Sequence, residues 1–88
     1  MKYYLIPTYD TRKSFYNKAI VETQGDTIKL FSYDTHIITL KGDTIIYMSP
    51  NEAHYTSTTN RHINEFFQQN GLLKMSKQAL LKKAMAMA

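Results

Sequence analysis

Gly25-Asp26-Thr27-Ile28-Lys29-Leu30-Phe31-Ser32-Tyr33-Asp34-Thr35-His36-Ile37-Ile38-Thr39-Leu40-Lys41-Gly42-Asp43-Thr44-Ile45 carries its own punctuation. Gly25-Asp26-Thr27-Ile28 returns as Gly42-Asp43-Thr44-Ile45, and each Gly-Asp pair sits between alternating segments. Gly accepts positive φ and Asp bonds its own local backbone, so both pairs read as hairpin turns. Ile28 and Leu30 share one face of the run Thr27–Tyr33, and Ile38 and Leu40 share one face of His36–Lys41. That is the period of two of half-buried strands. Moving outward, Tyr3–Ile6, Phe15–Thr23 and Thr44–Met48 add further runs, so the expectation is an antiparallel meander of four to five strands. Tyr9-Asp10-Thr11 also returns as Tyr33-Asp34-Thr35, but units this short do not stack as a solenoid.

After Ser49-Pro50-Asn51 the period changes. Ile63, Phe66 and Phe67 fall on one face of a helix running from about residue 59 to 70, and Asn70-Gly71 stops it. Ser76 precedes a second helical run, Lys77 to Met87, with Leu80, Leu81, Ala84 and Met87 as its apolar stripe. A helix this short needs tertiary packing, so docking on the sheet is the expectation, with loose attachment as the alternative. The fold class is therefore α+β, with the sheet packed by the first helix and a basic helix at the C-terminus.

With 88 residues the chain reads as a single domain, 1–88, of which 72–88 is the basic C-terminal helix. A hydrophobic content of 43% with 20% charged residues argues for a folded chain. There is no cysteine to form a disulfide or bind metal as a thiolate, which fits a reducing cytoplasmic setting. The N-terminal apolar run is too short for a signal peptide, and no stretch of eighteen apolar residues exists, so no membrane role is expected. The net charge of +4 is unevenly placed: residues 1–71 hold seven basic and seven acidic side chains, while 72–88 hold Lys74, Lys77, Lys82 and Lys83 and no acid. A basic end on a neutral body suits an anionic partner, or is a solubilising face.

Two polar segments carry the candidate chemistry. Tyr55-Thr56-Ser57-Thr58-Thr59-Asn60-Arg61-His62 runs into the first helix, whose N-terminus offers unpaired N–H groups and partial positive charge. Thr58 or Thr59 reads as its N-cap. Thr8-Tyr9-Asp10-Thr11-Arg12-Lys13-Ser14 joins the first two runs, and its adjacent cations suit phosphate oxygens. Should the two meet, Arg12, Lys13, Thr58, Thr59, Arg61 and His62 form one anion pocket: hydroxyls at the helix start, the arginines pairing phosphate, Lys13 and His62 adding charge. The plainer reading is a capped helix and a solvated turn. Seven tyrosines across the sheet half are either packing residues or stacking platforms for bases. His54 and His62 flank the hydroxyl run, as a metal-independent ribonuclease would require, but no spacing marks a catalytic pair. His62 and Glu65 lie at i and i+3 with no further ligand placed beside them, so no metal and no cofactor is expected.

The stretches Leu5-Ile6-Pro7-Thr8-Tyr9-Asp10-Thr11-Arg12-Lys13-Ser14-Phe15-Tyr16-Asn17-Lys18-Ala19, Ser32-Tyr33-Asp34-Thr35 and Tyr55-Thr56-Ser57-Thr58-Thr59-Asn60-Arg61-His62-Ile63-Asn64-Glu65-Phe66 resemble a family of small uncharacterised proteins of phages and mobile elements of gut Firmicutes. The resemblance covers most of residues 3–76 and is not extended beyond Ser76. It implies a setting in a bacterial cytoplasm and no activity. The expectation is a non-catalytic counter-defence protein, not an enzyme, that recognises an anionic nucleotide or nucleic acid. The alternatives are a module that blocks a host defence protein and the small ribonuclease; a homo-oligomer stays open.

Overall fold

The computed structural model describes residues 1–88. Strands β1 (Lys2–Tyr4), β2 (Ala19–Gln24), β3 (Thr27–Ser32), β4 (Thr35–Lys41) and β5 (Thr44–Met48) form one antiparallel sheet in sequential order. A short 3-10 turn, Glu52–His54, leads into α1 (Ser57–Gln69), and α2 (Lys77–Met87) closes the chain. The five-stranded meander with two helices is the expected α+β architecture.

Local chemistry explains the turns. Gly25 and Gly42 take φ of +59° and +62° at the first position of two-residue loops, as a primed hairpin turn with Gly leading requires. The β3–β4 turn has no glycine; Tyr33 and Asp34 adopt φ of 51° and 65° instead. The run Phe15–Thr23 is not all strand. Tyr16 and Asn17 are also left-handed, Ser14 Oγ accepts the Tyr16 N–H, and the Lys18 N–H closes on the Phe15 carbonyl, so β2 starts only at Ala19. β1 likewise ends at Tyr4, before Pro7, although Leu5 still donates to the Ala19 carbonyl.

The sheet faces α1 with Val21, Leu30, Ile38 and Leu40, all fully buried. Ile37 is an extra residue between the pairs Leu30↔Ile38 and Phe31↔His36, and this bulge lets two successive isoleucines turn inward. Ile63, Phe66 and Phe67 cover them from α1, as the helical period requires. The end of α1 is a Schellman arrangement: Gly71 at φ +80°, with Leu72 N–H on the Phe67 carbonyl and Gly71 N–H on that of Gln68. α2 docks through Leu80 and Ala84, which join the same core, while Met87 of the expected stripe remains 39% exposed.

The N-cap of α1 is Thr56, not Thr58 or Thr59; its Oγ1 accepts the Thr59 N–H at 3.2 Å. The helix starts earlier because the Thr59 hydroxyl is drawn inward to Ser32 Oγ, 2.9 Å away, which leaves Thr56 the cap position. Thr56→Ala should therefore lower stability by about 1 kcal/mol in urea unfolding, the usual cost of losing a cap. An equal loss from Thr58→Ala would count against this assignment.

Candidate functional site

In an up-and-down meander the connections after β1, β3 and β5 emerge at one end of the sheet. Residues 5–18, the Tyr33-Asp34 turn and the start of α1 therefore meet there. Hydrogen bonds tie them together. The Tyr33 N–H donates to the Lys18 carbonyl at 2.8 Å, joining the two left-handed turns. Glu65, only 1% exposed, reaches from α1 under the first loop, and its Oε1 accepts the N–H groups of Tyr9 at 2.9 Å and Asp10 at 2.8 Å. Its Oε2 accepts from Gln69 Nε2 at 2.6 Å, and the same amide donates to the Ile6 carbonyl. Burial pushes the Glu65 carboxyl pKa up, but Gln69 and the backbone N–H groups of Asp10, Thr8 and Tyr9 outweigh it and hold the value below the usual carboxylate range.

Asp10 then arranges the cations. Its Oδ1 accepts the Arg12 N–H at 2.9 Å and Arg61 Nη1 at 2.8 Å, so one carboxylate fixes the loop carrying Arg12 and the guanidinium of Arg61. Burial would raise this carboxyl too, and again the Arg12 N–H and the charge of Arg61 bring it below normal. Arg61 keeps most of its five donors free for a second anion.

Between these segments lies a cleft of about 280 Å³ lined by Arg12, Ser14, Phe15, Tyr16, Lys18, Tyr33, Thr58, Arg61 and His62. The two polar segments thus line one cleft. Four of the six sequence-derived residues, Arg12, Thr58, Arg61 and His62, line it. Lys13 is exposed on the loop and lines neither this cleft nor those beside it, because the Ser14 turn sends the chain toward Phe15. Thr59 is buried, and its hydroxyl is used by Ser32. Lys18 is the cation that sequence reasoning missed; it sits where the left-handed turn delivers the chain into β2.

His62 does not add the expected charge. The side chain is fully buried, its Nδ1 shares a 2.8 Å hydrogen bond with Ser32 Oγ, and the Phe15 ring packs edge-on against it with ring centres 4.6 Å apart. Burial, with Arg12 nearby and only Asp10 opposing, pushes its pKa down to about 4, so the imidazole is neutral at pH 7. Nε2 is buried and has no hydrogen-bond partner. Buried polar atoms are seldom left so. Ser32, which holds Nδ1, belongs to a neighbouring cleft, while His62 lines the Arg12–Arg61 one.

That neighbouring cleft, of about 420 Å³, holds Ser32, Thr35, Thr56, Thr58, Thr59 and His54, with Ala53 and Ile37 as apolar walls and Tyr33 at its border. His54 shares a 2.6 Å bond through Nδ1 with Ser49 Oγ, and it lines this cleft while His62 lines the other. The two histidines therefore do not converge on one reacting group. Among His, Asp and Glu side chains no group of three comes together to hold a metal ion. No helix is long and apolar enough to cross a membrane.

The tyrosines divide by position. Tyr16 and Tyr33 flank the cationic cleft. On the helix-free face of the sheet, the pairings Tyr4↔Ile20, Ile20↔Phe31 and Phe31↔His36 set out a row that Tyr47 extends by stacking on His36 at 4.5 Å. The Tyr55 hydroxyl is buried on the Ser49 carbonyl at 2.7 Å, and burial pushes its pKa up to about 12.

Among curated proteins and among solved structures, nothing matches this chain. A family profile does match, over residues 3–83, so the relationship runs beyond Ser76 into α2, further than the motifs alone indicated. This fits the docking of α2 through Leu80, inside the matched range. The chain belongs to the family of unknown function DUF8033.

Proposed function

We propose that this protein is a non-catalytic binder of an anionic ligand, a nucleotide or nucleic acid, held between Arg12, Lys18 and Arg61. The observation that carries the reading is the convergence of these three cations, from the first loop and from α1, on one cleft that His62 also lines. One carboxylate, Asp10, presents both arginines and leaves a net positive cleft. The cap consumes the Thr59 N–H, while Thr58, which lines the cleft, keeps an N–H without an intrahelical partner. A non-catalytic role is favoured because a neutral, buried His62 is a poor proton donor at pH 7. The setting we propose is counter-defence in a bacterial cytoplasm, on the strength of the motif resemblance alone.

Calorimetric titration with pyrophosphate tests the site. Lys18→Ala should weaken binding by about tenfold or more, the scale of a lost charge-assisted hydrogen bond, whereas Lys13→Ala should leave it nearly unchanged. Equal effects from the two lysines would mean that only diffuse charge is sensed.

A second reading has one observation in its favour. Tyr4, Ile20, Phe31 and Tyr47 run across the helix-free face, with Tyr4 51% and Tyr47 38% exposed, and a protein-blocking module would use such a surface. On that reading, charge substitution at Tyr4 and Tyr47 abolishes function while Arg12→Ala does not.

A further inference from the structure

We infer that the ligand is a free nucleoside phosphate, bound across two adjoining clefts, with its phosphate among Arg12, Lys18 and Arg61 and its nucleoside in the hydroxyl-lined cleft beyond Tyr33. This rests on the anion site proposed above and adds the second half. The two clefts share Tyr33 and Thr58 as their common border. On one side of it stand three cations; the other is lined without a single Lys, Arg, Asp or Glu. A ligand filling both must be anionic at one end and neutral with hydrogen-bonding groups at the other. The cationic cleft, at about 280 Å³, is just under the ~300–1,000 Å³ usual for small-molecule sites, and the neutral one, at about 420 Å³, is within it.

The neutral side suits a planar, polar ring. Ser32 and Thr59 hydroxyls are taken by each other and Thr56 Oγ1 by the cap, so Thr35 and Thr58 supply the hydroxyls that remain, above the apolar Ala53 and Ile37. Tyr33 stands at the border with its ring half-exposed, its backbone held left-handed and its N–H fixed on Lys18. A half-exposed aromatic ring on a fixed stretch of backbone can stack a base. A nucleic-acid strand would instead need cations spaced along a track. Here Lys74 shares with Arg61 a different cleft that also holds the Asp10 carboxylate, and Lys83 lies beside β5, so only Arg12, Lys18 and Arg61 line the cleft beside Tyr33.

The test is calorimetry on the full chain with inorganic phosphate, the four common nucleoside 5′-monophosphates and a short single-stranded oligonucleotide. The expected result is at least one monophosphate binding about tenfold or more tighter than phosphate, the scale of one base stacked on an aromatic ring. Ala53→Trp, at an exposed position bordering the neutral cleft, should reduce that monophosphate to the affinity of phosphate and leave phosphate binding intact. Should that variant fail to fold, Thr35→Val reads the same cleft. Equal affinity for phosphate and every monophosphate overturns this inference and leaves the anion site standing. Binding of neither overturns both. An oligonucleotide that binds far tighter than any monophosphate, with affinity falling steeply in salt, overturns the choice of a free nucleotide.

Discussion

Glu65→Ala is expected to destabilise the protein by about 2–4 kcal/mol, the scale of removing a buried charged acceptor from several hydrogen bonds. The carboxylate touches no ligand. It accepts two successive backbone N–H groups, from Tyr9 and Asp10, and the Gln69 amide, all of which lose this acceptor if it is truncated. A chain of this length has a total stability of roughly 4–13 kcal/mol, so the loss is a large fraction of the whole. Urea unfolding measures it. The same variant should lose pyrophosphate affinity even where it remains folded, because the loop that carries Arg12 is pinned to α1 through Glu65. Glu65→Gln keeps one acceptor and should fall between. A Glu65→Ala protein with near-normal stability would mean that the first loop is held by something other than this carboxylate.

The second large effect is an acid transition. His62 has a folded-state pKa of about 4 against 6.5 for the free side chain, so protons bind more readily to the unfolded chain. Its contribution is fully present above pH 6.5 and is lost as pH falls toward 4, amounting to about 3 kcal/mol at 1.36 kcal/mol per pKa unit. His36 is also lowered, by burial and by Lys29, and acts with the same sign. Asp10 and Glu65, both held below normal, add their loss at still lower pH. Stability should therefore decline steadily below about pH 6.5, and His62→Gln should flatten most of the decline between pH 6.5 and 4. A wild-type stability that is level across that window would show that His62 is hydrated and titrates normally.

The hairpins at Gly25 and Gly42 were readable because glycine at a required positive φ leaves a local signature. So was the Ile63, Phe66, Phe67 stripe. The left-handed pairs Tyr16-Asn17 and Tyr33-Asp34 were not readable, because tyrosine in that conformation is imposed by tertiary contacts, such as the Tyr33–Lys18 hydrogen bond, against local preference. That is why Phe15–Lys18 looked like strand and Lys18 was overlooked. Some of the site was nevertheless present in the pattern. Thr59, His62, Ile63, Phe66 and Phe67 follow i, i+3, i+4, i+7, i+8, so the inward turn of Thr59 and His62 follows from extending the apolar stripe by one turn. The meeting of the two polar segments follows from the meander itself, once five strands are counted. Glu65 gave no such warning: a buried carboxylate becomes predictable only when the backbone N–H groups it must satisfy are known.

The central claim is that Arg12, Lys18, Thr58 and Arg61 form one anion cleft built from two distant chain segments. Backbone amide NMR during titration with inorganic phosphate tests it most directly. The account predicts saturable shifts that appear together at residues 11–18, at Tyr33 and at 56–62, and vanish in an Arg12→Ala, Lys18→Ala double variant. Shifts confined to the lysines of α2, or shifts that never saturate, would contradict it.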